Sequence, residues 1–138
     1  MIDIRIKASR SEMMRDLMKA TFGDKAKTEI GMAAFETALM KCPDVRLAAR
    51  IFMDAGAAMA ATFPNDVRIE GKIMKTPLAP ASAAIVFVES TCTEYEASVF
   101  AGIVAKCAKC PVFDEYCGMA YWAGALHVIT GKAEVVKL

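Results

Sequence analysis

Histidine and tryptophan occur once each in this 138-residue chain, and neither sign of charge dominates, since 17 Lys and Arg stand against 16 Asp and Glu for a net charge of +1. Each shortage excludes something. One histidine cannot supply the H-x-x-x-H pair of a zinc hydrolase, and the absence of a Walker A loop or a G-x-G-x-x-G string leaves a nucleotide's phosphates no cradle. Lys and Arg are dispersed along the chain, so no basic cluster replaces the counterions of a nucleic acid, and neither nucleic acid nor a membrane is expected as a partner. Long apolar runs are also missing. The longest uncharged stretch, Tyr116 to Gly131, contains three glycines and a histidine and falls short of the roughly 20 apolar residues of a membrane helix.

What is present is apolar and helix-forming, with 56% hydrophobic residues, 24% charged residues and ten methionines. That composition excludes disorder, and the length suits one compact domain, 1–138, able to bury a core without staples. No repeat, low-complexity tract or linker divides it. Asp3, Arg5 and Lys7 interrupt what would have to be the apolar centre of a secretory signal. With five cysteines, an odd number, the expectation is reduced thiols in the cytoplasm.

Ile2, Ile4 and Ile6 alternate with charged residues, which predicts a half-buried strand over 2–7. Ser9 and Glu12 have capping-box spacing, and Met14, Leu17, Met18 and Phe22 follow at helical intervals up to Gly23. A second helix runs from Thr28 to Cys42, stopped by Pro43, with Ile30, Ala34, Phe35, Ala38 and Leu39 in phase. Asp44 is the expected N-cap of a third, largely buried helix that reaches Phe63, and its Gly56 and Ala60 invite close helix packing. Beyond FPND (63–66), the alternation over 67–73 predicts a second half-exposed strand, TPLAP (76–80) a loop, and SAAIVFVE (82–89) a strand covered on both faces. A helix from the Thr91 to Glu94 capping-box spacing to about Lys109 follows. Residues 115–125 allow a short helix, and LHVI with KAEVVKL reads as a terminal hairpin. The sum is an α+β fold: a mostly antiparallel sheet of four to five strands with three to five helices packed on one face.

The chemistry concentrates in CAKCPVFDEYC (107–117). Cys107 and Cys110 have the spacing at which two sulfurs reach one ion, Cys117 adds a third, and Cys92 is the first choice for a fourth, ahead of His127 and Cys42. The string resembles part of the iron–sulfur loop of DNA-repair glycosylases over its eleven residues, which implies a cluster ligated by these cysteines. It departs from that loop in lacking the nearby upstream cysteine, in a longer spacing before Cys117, and in having no helix-hairpin-helix around it, so the activity is not carried over. The competing reading is packing, because Cys107 continues the apolar face of Phe100, Ile103 and Val104.

Cys92 is the preferred nucleophile, placed where a strand would enter a helix N-terminus that lowers a thiol pKa, with His127, Glu89 or Glu94 as the base. The leading expectation is nevertheless a small cytoplasmic binding protein that is not catalytic and needs no cofactor, whose partner is another protein chain or itself as a homo-oligomer. A cysteine-ligated zinc or iron–sulfur protein is the alternative, and a thiol enzyme centred on Cys92 and His127 the third.

Overall fold

Ser9 opens the first helix as anticipated: its hydroxyl accepts the Glu12 N–H at 3.1 Å, and α1 (Arg10–Phe22) runs to Gly23, whose φ of 72° closes it in the left-handed conformation that glycine adopts without a side-chain clash. The computed structural model describes the chain except residues 1, 7, 8, 71, 72, 77 and 138. Asp24 follows Gly23 at once and caps α2 (Lys25–Lys41) by accepting the Ala26 N–H at 2.7 Å, so α2 starts three residues before the expected Thr28.

After Pro43 the chain enters α3 (Val45–Thr62). Asp44 makes no side-chain cap to that helix and pairs with Lys106 at 2.7 Å instead. The remaining elements are a short ribbon of β2 (Arg68–Glu70) and β3 (Ile73–Lys75), α4 (Pro80–Thr91), α5 (Glu94–Cys107), α6 (Phe113–Ile129) and β4 (Ala133–Lys137), the last paired antiparallel with β1 (Ile2–Ile6) so that Ile4 faces Val135.

The expected α+β fold is overturned. The molecule is almost entirely helical, and strand pairing among the described residues is confined to two short antiparallel ribbons rather than a sheet of four to five strands with helices on one face. Two segments account for the difference. SAAIVFVE lies inside α4, which buries Ala83, Ala84 and Val88 and leaves Ile85 and Val86 in water; a continuous apolar run has no period that separates a strand from a buried helix, and the deciding signal was Pro80 at the first helical position. LHVI is the last turn of α6, so the C-terminal strand pairs with the distant β1 and not with a local partner. The β1 side-chain faces lie outside the described residues, as do Lys7, Gly71, Lys72 and Pro77 of the expected strands and loop.

One apolar core draws on all six helices. Its axis is the α3–α6 pair, the most extensive helix contact in the molecule. A Cβ added to Gly56 would stand 1.9 Å from the Tyr121 carbonyl oxygen, and one added to Gly124 would stand 2.0 Å from that of Met53. The two backbones therefore touch, and glycine is required at both crossings.

Candidate functional site

Cys42, which ends α2, is joined by a disulfide to Cys110 in the turn between α5 and α6, with Cα atoms 6.7 Å apart. This corrects the expectation of five reduced thiols, and it removes Cys110 from any metal set because its sulfur is spent in the bridge. Cys107 and Cys117 are buried. Burial pushes the Cys117 thiol up to about 12, with the neighbouring Cys107 and Asp114 adding to the effect. Cys107 is also raised, by burial first and then by the Asp44 charge. Protonated thiols are poor nucleophiles and poor ligands. No group of three His, Cys, Asp or Glu suited to a metal ion occurs among the described residues, and with Cys110 in the bridge the suggested set of Cys107, Cys110, Cys117 and Cys92 is not present as four free thiols.

Cys92 is the one free thiol with partial exposure. It ends α4, its N–H donating to the Val88 carbonyl at 2.9 Å, and it immediately precedes Thr93, the N-cap of α5. The anticipated helix N-terminus is thus present, one residue later than Cys92, and the capping box there runs between Thr93 and Glu96 rather than between Thr91 and Glu94. His127 is not brought to Cys92 by any hydrogen bond. It is buried in α6, where Nδ1 meets the Ala123 carbonyl oxygen at 2.8 Å and Nε2 meets Asp16 Oδ2 at 3.1 Å, with Lys132 Nζ 3.6 Å from the same carboxylate oxygen. Both ring nitrogens are engaged, Nδ1 within α6 and Nε2 in fastening α6 to α1. The described structure joins no nucleophile and base.

A large cavity lies elsewhere, along the flank of α2. Thr28, Met32, Phe35 and Leu39 turn into the core, and the Phe35 ring meets Tyr116 of α6 edge-on at 5.1 Å. One step round the helix, Gly31, Ala34 and Ala38 face an open cleft of about 810 Å³ lined on the other side by Val112, just before α6, and by Glu115 and Met119 of α6. Met18 of α1 closes its floor beside Gly31, and Cys42 brings the disulfide to one end. Ile30 also lines it and is 70% exposed. Sequence reasoning placed Ile30, Ala34, Phe35, Ala38 and Leu39 on one core face. That stripe is too broad for one contact, and the excess was the available signal for a second apolar surface.

A smaller hollow of about 240 Å³ lies on the other side of α2, where Arg10, Arg46 and Arg50 converge. Two of these cations are already matched, Arg10 to Asp54 at 2.8 Å and Arg46 to Glu36 at 2.6 Å. Burial raises the Asp54 carboxyl despite the opposing pull of Arg10 and Arg50.

Comparison of the chain with protein-family models, with curated proteins and with solved structures finds no match in any of the three. None of the described helices is long and apolar enough to cross a membrane.

Proposed function

We propose that this protein acts by binding, without catalysis, and that the cleft between α2 and α6 is where it binds an apolar ligand. The observation that carries the reading is the cleft itself. Its volume of about 810 Å³ falls in the range of small-molecule sites, roughly 300–1,000 Å³, and its walls are mainly apolar. The cleft is open, so a ligand that covers its apolar walls removes that surface from water. The engaged nitrogens of His127 and the raised thiols of Cys107 and Cys117 support leaving catalysis out.

Titration with the neutral solvatochromic dye Nile red tests the reading. Saturable one-to-one binding with a blue-shifted emission is expected, and Ala34→Trp, at an exposed position on the cleft wall, is expected to abolish it while leaving the melting temperature unchanged. No saturable binding, or undiminished binding to the folded variant, overturns the proposal.

Self-association is a second reading, supported by Ile85 and Val86 of α4 and Tyr95 and Val99 of the adjoining α5, all of which stand in water. The Ala- and Gly-rich α3 is spent inside the core and offers no such face. Light scattering that reports a monomer at every concentration would remove this reading. We further propose cytoplasmic residence; thiol trapping at the moment of lysis tests it, because a Cys42–Cys110 pair found fully joined in the cell would place the protein in an oxidising compartment instead.

A further inference from the structure

We propose that the ligand of the cleft is a single-chain amphiphile with an anionic head, such as a free fatty acid, its head at Lys27 and its chain running towards Cys42. The proposal rests on the reading that the cleft is a binding site, and it names the chemistry of what enters.

Shape decides the chain. Lys27, Gly31, Ala34, Ala38 and Lys41 recur at intervals of three and four, so they form one stripe down α2 about 21 Å long at 1.5 Å per residue. A single extended hydrocarbon chain fits along such a stripe. Small side chains along the middle of the stripe keep it open, and Met18 and Met119 offer flexible, polarisable walls that adapt to a chain.

Charge decides the head and its direction. Lys27 and Lys41 stand at the two ends of the stripe, and neither enters an ion pair among the described residues. The Lys41 end lies next to the disulfide, which fixes the start of α6 there, and Glu115 on the first turn of α6 sets a carboxylate into that end. At the Lys27 end Asp24 is held by the α2 cap, where it accepts the Ala26 N–H, and does not line the cleft. A carboxylate head is therefore matched at Lys27, a compact point charge, and opposed near Glu115.

Calorimetric titration with laurate, dodecanol and dodecylamine, each kept monomeric, tests the proposal on the full chain. Laurate is expected to bind one-to-one and about fivefold tighter than dodecanol, the upper range of an exposed charge pair, with dodecylamine weakest. Shortening to decanoate should lower affinity by up to about fourfold per methylene removed. Lys27→Glu, at an exposed position, should exchange the order of laurate and dodecylamine and leave dodecanol unchanged. Equal affinity for the three heads overturns the anionic head. If Nile red saturates the cleft but no dodecyl compound binds, or if an amphipathic peptide or anionic vesicles bind where laurate does not, the ligand class is wrong while the cleft reading stands. Failure of both Nile red and laurate removes both.

Discussion

α3 and α2 are helices of 18 and 17 residues in one chain, yet they are held in opposite ways. α3 presses its backbone against α6 at Gly56 and Gly124, buries most of its length and is central to the core. α2 packs chiefly on α1, reaches α6 through side chains such as Phe35, and is fastened at its C-terminal end by the Cys42–Cys110 bridge. The first arrangement leaves no room, and the second leaves a cleft. Close packing and open space are thus divided between different helices, since backbone contact excludes a cavity and side-chain contact alone leaves one.

Cutting the bridge should have the largest effect. In the chain-entropy account a crosslink across 68 residues stabilises by about 4 kcal/mol. Cys42→Ala with Cys110→Ala is expected to lose about that much in urea unfolding, and hydrogen exchange should rise in α2 well before it rises in α3 and α6. Equal loosening of all three helices would break the contrast.

The same glycine-to-alanine change should then give opposite results in the two regions. Gly56→Ala meets a carbonyl oxygen of the neighbouring backbone, which cannot yield, and is expected to cost about 3 kcal/mol. Gly31→Ala in α2 meets only the terminal methyl of Met18, which can swing away, so the helix propensity of alanine should leave the variant neutral or more stable by up to about 1 kcal/mol. Comparable losses at both sites in thermal melts would show that α2 is packed as tightly as α3.

Alkaline titration probes the core side. The Cys117 thiol holds its proton more tightly folded than unfolded, so stability is undiminished below about pH 9, the unfolded value, and falls as pH rises from there towards about 12. By pH 10.5 this group should account for a loss of about 2 kcal/mol. In Cys117→Ala the unfolding free energy between pH 8 and 10.5 should have a shallower slope; an unchanged slope would mean the thiol is not the cause.

The smallest effect is one of rate. Limited alkylation at neutral pH followed by peptide mapping should label Cys92 first, because Cys107 and Cys117 are buried and Cys42 and Cys110 are joined. Prior labelling of Cys107 would place the α5 terminus nearer solvent than the structure has it.

Local signals carried much of this fold. Ser9, Gly23, Pro43 and the periodicity between them marked α1, the end of α2 and α3, because caps and helix breakers act within a few residues of themselves. Continuous apolar stretches were not legible in that way. Residues 82–89 and 113–129 have no polar face to set a period, and which of their sides meets a neighbour depends on helices far away in sequence. The cysteines show the same limit: their spacing within 107–117 suggested a shared ion, whereas Cys110 meets Cys42 across 68 residues.

The sequence by itself determined the ends of α1, the end of α2 and the span of α3, the large apolar content and the absence of complete catalytic motifs, since these depend on residue type and short-range geometry. Tertiary structure alone decided that the molecule is almost entirely helical, that His127 is fastened to Asp16, that Cys42 and Cys110 are joined, and that α2 stands off from α6 to leave an apolar cleft. Those outcomes depend on which surfaces meet once backbone entropy has been spent, and one chain read in order does not contain the distances between its distant parts.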